Sequence, residues 1–186
     1  MKKPALVIGL IAFTGMLLLI GASNYSTTVF GFIPVGFGFT ATAGTLFAGL
    51  SLALRDLLQD TWGRLAVIFV IAFGTLLSFV IAAPEIALAS AAAFGLAELL
   101  DFAVYSPLRK RATRFGDKRW AVAVVASNAV GAVVDTVVFL GIAFGLSSIL
   151  PSLGGQLVGK GWATVAYLIV GAAVGQLIKR KIKNKA

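Results

Sequence analysis

The chain has 186 residues, 59% of them hydrophobic and 12% charged, with 16 Lys and Arg against 7 Asp and Glu for a formal net charge of +9. Such an apolar share, far above the about 45–50% of a soluble domain, marks an all-α integral membrane protein, and at about 20 residues per span the length fits one transmembrane domain over 1–186. The absence of Cys and His excludes disulfide frameworks, zinc sites of the usual kind and Ser-His-Asp triads, so neither an enzyme nor a bound cofactor is expected.

Six segments are long and apolar enough to cross a bilayer, at about 4–22, 39–58, 65–82, 86–106, 120–145 and 161–178. The first follows Met1-Lys2-Lys3 as a signal peptide would. Its core is too long for one, however, and no small-x-small cleavage site with a polar sequence after it follows, so it reads as a retained span. With the amino terminus inside, fifteen of the sixteen basic residues, among them Arg55, Arg64, the cluster Arg109 to Arg119 and the tail Lys179 to Lys185, fall on the inner face. Both termini are then cytoplasmic in a bacterial-type inner membrane, and the charge serves topology and anionic lipid rather than nucleic acid.

Ser23–Gly38, SNYSTTVFGFIPVGFG, carries no charge and is rich in Gly and aromatics. It can rest in the outer interface, or enter the bundle as a re-entrant segment whose backbone faces a cavity. In the second span Thr42, Thr45, Gly49 and Leu52 recur at helical spacing and suit close packing. Asp56 sits beside Arg55 and one turn before Asp60, which fits a surface ion-pair patch as well as a gate. The third span has no ionisable residue. Its turn at Ala83-Pro84-Glu85 makes spans three and four antiparallel neighbours.

The fourth span, within AAAFGLAELLDFAVYSPLRKR, holds two acids and is expected to stop at its Ser-Pro step. At 3.6 residues per turn Phe94, Glu98, Asp101 and Tyr105 share one face. An acid at the middle of a span is unfavourable by about 2.5–3.5 kcal/mol, so these groups either lock the bundle through a basic partner or bind a ligand or ion. The fifth span presents Asn128, Gly131 and Asp135 on one face. Counting about 1.5 Å per residue, Glu98 and Asn128 lie at similar depth and Asp135 about 10 Å further out, so two polar faces can meet at a midplane cavity, with Gly131 leaving room for a guest or for a neighbouring helix. Lys160 opens the sixth span from the outer side. There it either snorkels or approaches Asp135.

The segments SNY, LRDLLQDTWGR, FGLAELLDFAVYSPLRKR and SNAVGAVVDTVVFLGIAFG together resemble the vitamin uptake transporter family, also called the queuosine precursor transporter family, over about residues 20–145. The resemblance implies a six-helix inner-membrane carrier, similar to the substrate-binding components of energy-coupling-factor transporters. Its cargo would be a 7-deazaguanine such as 7-cyano-7-deazaguanine or 7-aminomethyl-7-deazaguanine. Asn24, Tyr25, Asp56, Asp101, Ser127, Asp135 and Thr136 occupy the family's polar positions; Glu98, Asn128 and Lys160 complete the expected substrate site. The chemistry agrees: one carboxylate accepts from the ring N–H and amino group of a guanine-like base side by side, and Phe94, Tyr25 or Tyr105 can cover its flat face. The alternatives are a proton- or ion-conducting protein lined by Asp56, Asp101 and Asp135, a carrier of another vitamin-like molecule, and a scaffold whose acids are structural pairs. No P-loop sequence occurs. Active transport would therefore draw on a gradient, an energising partner or trapping, and homo-oligomers remain compatible with the small-residue faces.

Overall fold

The first helix, α1 (Lys3–Phe30), outruns its expected end at Ala22. Its polar last turns stay helical because they bond within the helix, Asn24 Nδ2 donating to the Ile20 carbonyl at 3.0 Å and Thr28 Oγ1 to the Asn24 carbonyl at 3.0 Å. Gly31, at φ 59°, ends the helix by donating to the Thr27 carbonyl at 3.1 Å, a left-handed stop that glycine makes without strain. A computed structural model describes residues 3–84 and 86–183, and side chains over 5–84 and 86–176. Lys2, Glu85 and Lys185 lie outside the described residues, as do the side chains of Lys3, Lys179, Arg180, Lys181 and Lys183.

After α1 the chain forms an antiparallel hairpin, β1 (Phe32–Gly36) and β2 (Phe39–Thr42), which the all-helical expectation did not include. Gly36, Phe37 and Gly38 turn it with φ of 104°, 54° and 78°. The hairpin lies on the last helix because that helix has no side chain in the way: a Cβ on Gly155 would stand 1.8 Å from the Thr40 carbonyl oxygen, and one on Gly154 2.8 Å from the Phe39 ring. Phe37 stacks on Trp162 with centroids 6.0 Å apart, and the indole donates to the Val35 carbonyl at 2.9 Å. Ser23–Gly38 is thus regular structure, the last turns of α1 and the first strand with its turn.

α2 (Thr45–Trp62) begins later than residue 39, and a single Gly63 at φ 86° joins it to α3 (Arg64–Ile81). α4 (Ala87–Arg109) carries Pro107 inside its last turns, so the helix runs past the Ser-Pro step expected to end it. α5 (Lys118–Phe144) starts on Asp117, whose Oδ1 accepts from the Trp120 amide at 2.7 Å. A short 3₁₀ turn, Leu146–Ser148, leads to α6 (Ile149–Lys183). Because α6 starts at 149 rather than 161, Lys160 lies three turns inside it and does not open the span.

Among the described residues five helical stretches, from α1, α3, α4, α5 and α6, are long and apolar enough to cross a membrane. The chain is an all-α membrane bundle. α2 falls short of that hydropathy because it carries Arg55, Asp56, Gln59 and Asp60, yet it packs against every other helix of the bundle. Its polar side chains therefore face protein, while Leu65, Phe69, Leu76 and Val80 of α3 are exposed in the manner of a lipid-facing surface. α3 packs on α4, as their short turn required.

Candidate functional site

A cavity of about 60 Å³ lies between α1, the start of α2, α4 and the last turns of α5. Its wall is mostly apolar in area and carries one charge; its polar members are Asn24 and Ser23 from α1, Thr45 and Ser51 from α2, Ser78 from α3, Ser90 from α4 and Gln156 from α6, with Phe94 and Phe139 as aromatic members and Asp135 as the carboxylate. These side chains are held by one another. Asn24 Nδ2 donates to Ser78 Oγ at 3.2 Å, Gln156 Nε2 donates to Thr42 Oγ1 at 2.9 Å, and Thr45 Oγ1 donates to the Gln156 carbonyl oxygen. Ser23 Oγ donates to the Gly44 carbonyl at 3.0 Å, tying α1 to the hairpin's exit. The hydroxyl and amide rotors are thus set before any guest arrives, which lowers the ordering cost of binding.

Asp135 is paired. Lys160, 2% exposed, places Nζ 2.8 Å from Asp135 Oδ2 and donates to Thr136 Oγ1 at 2.6 Å. Gly49 lets α2 come this close to α6, since a Cβ there would meet the Lys160 backbone at 2.7 Å. The pairing is the approach to Asp135 anticipated as one of two roles for Lys160; the lysine does not snorkel.

One turn further along α2 and α4 lies a second polar feature, a buried charge cluster. Arg55, Asp56 and Asp101 are fully buried and Glu98 is 1% exposed. Arg55 reaches Asp56 at 2.7 Å and Glu98 at 3.5 Å, and also contacts Asp101; the Tyr105 ring lies under its guanidinium at 5.2 Å. Ser51 joins the two features, because it lines the cavity and its Oγ donates to Glu98 Oε1 at 3.0 Å. Desolvating ions of this kind costs several kcal/mol each even after relaxation, so Arg55 is indispensable to the three acids around it.

A family model described as "putative vitamin uptake transporter" matches residues 78–178, more than half of the chain, from Ser78 at the cavity through α4, α5 and Lys160. The chain belongs to the vitamin uptake transporter family. Neither curated proteins nor solved structures gave a match. Membership makes this a multi-pass membrane protein of a transport family, and the cavity is its candidate substrate site.

The nine residues expected at the site separate into groups. Asn24 and Asp135 line the cavity, with Lys160 directly behind Asp135. Asp56, Glu98 and Asp101 form the charge cluster with Arg55 instead, so Asp101 and Asp135 do not share a hollow. Arg55, counted by its sequence position as an inner-face basic residue beside a surface patch, is buried, and Asp60 pairs separately with Arg109 at 2.8 Å. Tyr25 is 65% exposed and contributes nothing to the cavity wall. Ser127 bonds its own helix at the Val124 carbonyl, and Asn128 donates to Thr164 Oγ1 at 3.1 Å, both away from the cavity. The space at Gly131 is filled by the neighbouring helices, a Cβ there standing 2.9 Å from Leu52 and 3.1 Å from Asp101. The cavity also sits toward the hairpin end of the bundle rather than where Glu98 and Asn128 cross. Gln156 and Phe139 went unrecognised. Gln156 lay in a segment read as outside any span, and Phe139 had no polar signal, although it falls one helical turn after Asp135.

Proposed function

We propose that this carrier imports a 7-deazaguanine precursor of queuosine, such as 7-cyano-7-deazaguanine or its 7-aminomethyl analogue, across a bacterial inner membrane, with both termini cytoplasmic. The observation that carries the reading is Asp135, a carboxylate set in an otherwise uncharged wall that includes Phe94 and Phe139. A flat base with a ring N–H beside an amino group offers two donors to one carboxylate, and the aromatic rings suit its π-faces. Asn24 and Gln156 supply amide groups for the carbonyl and ring nitrogen. Lys160 orients Asp135 through Oδ2, and the base takes over one of the carboxylate's lone-pair positions.

Ligand pockets commonly enclose about 300–1,000 Å³. A cavity of about 60 Å³ corresponds to a few waters and is too small for the base, which is admitted when the helices part. With the termini inside, the cavity lies in the outer half of the bilayer, close to the side from which an importer loads. A single ion path lined by Asp56, Asp101 and Asp135 gains no support, because Asp135 lines the cavity and the other two do not.

The test is thermal-shift binding of the purified protein with both deazaguanines, guanine and biotin side by side. Stabilisation by the deazaguanines, lost in Asp135→Asn, supports the reading; stabilisation by biotin alone, or by none, removes it.

A further inference from the structure

The cavity accounts for Asp135 but leaves the Arg55 cluster without a task. Fully ionised, one guanidinium against three carboxylates leaves a formal charge of −2 in side chains that are at most 2% exposed. No other cation among the described residues relieves it: Arg109 is committed to Asp60 at 2.8 Å and Lys160 to Asp135 at 2.8 Å. The remaining polar neighbours are neutral, namely Ser51, Gln59, Ser106, Tyr105 and, from α6, Tyr167. Isolated charges are not kept in such surroundings; they are neutralised.

Two independent details say by what. Both carboxyl oxygens of Asp56, both of Asp101 and Oε2 of Glu98 are buried without a hydrogen bond, and so is Tyr105 Oη. A carboxyl group that carries a proton loses its charge and gains a donor for such an oxygen. Nor do any three acidic side chains among the described residues converge as metal ligands. A proton, which needs one oxygen rather than a coordination shell, fits where a metal ion does not.

We propose that the Arg55–Asp56–Glu98–Asp101 cluster is a proton-binding site that drives transport. Two of its three acids carry protons in this conformation, at least one of them an aspartic acid, and the third stays ionised against Arg55. The link to the cargo is Ser51, whose side chain belongs both to the cavity wall and to Glu98. A guest that draws on Ser51 weakens its bond to Glu98, shifts Arg55 toward Glu98 and changes how firmly the cluster holds its protons. At most two protons accompany each cycle, taken from one side and released to the other, with no covalent step. The coupling, though not the proton site, rests on the cavity being the substrate site.

The experiment separates these two claims. Infrared spectroscopy of the ligand-free wild-type protein at neutral pH, with and without ¹³C in the aspartate carboxyl carbon, reads protonated Asp directly and needs no substitution that endangers folding. A protonated-carboxyl band that moves with the label is expected; its absence, or a band that ignores the label, overturns the site. Proteoliposomes then report coupling: an acid-outside gradient of one pH unit raises steady-state accumulation of 7-cyano-7-deazaguanine by up to about tenfold per proton, a protonophore abolishes the gain, and Ser51→Ala diminishes it. Uptake indifferent to the gradient overturns the coupling. If the cargo assignment fails, no tested ligand is taken up while the labelled band persists.

Discussion

Lys160 Nζ lies 2.8 Å from Asp135 Oδ2, so the carboxylate in the cavity wall arrives at its task already paired, from a helix more than 20 residues later in the chain. Removing only the cation strands a largely buried charge, at a cost of about 3–5 kcal/mol, whereas replacing both partners with apolar or neutral groups is much milder. Lys160→Met should therefore lower the thermal midpoint in detergent sharply. Lys160→Met combined with Asp135→Asn should recover most of the loss yet remain unable to bind the base. Equal melting of single and double variants would mean that the pair contributes little.

The hairpin's seat on α6 makes a sharper geometric prediction. Gly155→Ala sets a methyl group 1.8 Å from the Thr40 carbonyl oxygen, backbone that cannot turn aside, so at least the about 1–3 kcal/mol typical of overpacking is expected, with the Trp162 environment altered. Six residues on, Gly161 has nothing within 4 Å of its missing Cβ. Gly161→Ala should be neutral or stabilising by up to about 1 kcal/mol through helix propensity. Thermal unfolding followed by tryptophan fluorescence checks both.

The bundle was legible in the sequence because span-length apolar runs state membrane helices almost without tertiary information. Where charges interrupt a run, the reading loses its footing. α2 is the central helix, yet Arg55 read as an inner-face residue, since a basic residue close to an apparent span end is indistinguishable by position from one folded into the core. The same limit hid Gln156, because α6 begins before its hydropathy rises. Asp135 and Asn24 could be found, being polar residues inside helices where polarity must have a partner. Which acid met which base was set by helix rotation, and no spacing rule contains that.

At the α4–α5 turn, Asp117 binds four donors. Its Oδ2 accepts from Thr113 Oγ1 at 2.6 Å and from the Thr113 and Arg114 amides at 2.9 and 3.1 Å, and its Oδ1 from the Trp120 amide at 2.7 Å. The Thr113 hydroxyl first, then the backbone amides, hold the carboxyl well below the usual range. A lowered folded-state value stabilises the native turn above the ordinary carboxylate value of about 4, and that contribution disappears as pH falls through the lowered one. Acidification below about pH 4 should thus reduce the thermal midpoint of the wild type more than that of Asp117→Asn, compared across a pH series.

The final prediction sets two neighbours on α1 against each other. Asn24 is 7% exposed and lines the cavity with its amide held by Ser78 and the Ile20 carbonyl, while the adjacent Tyr25 is 65% exposed on the opposite side of the helix wall. If the cavity is the binding site, Tyr25→Ala leaves deazaguanine affinity within about twofold, since surface changes are typically worth less than about 0.5 kcal/mol. Asn24→Ala removes a buried amide and its bonds to two helices. A lost hydrogen bond of about 0.5–1.5 kcal/mol weakens binding by roughly 2- to 13-fold, and more if Ser78 is left unpaired. Isothermal titration of the two variants decides it, and a larger loss for Tyr25→Ala would move the site to the outside of α1.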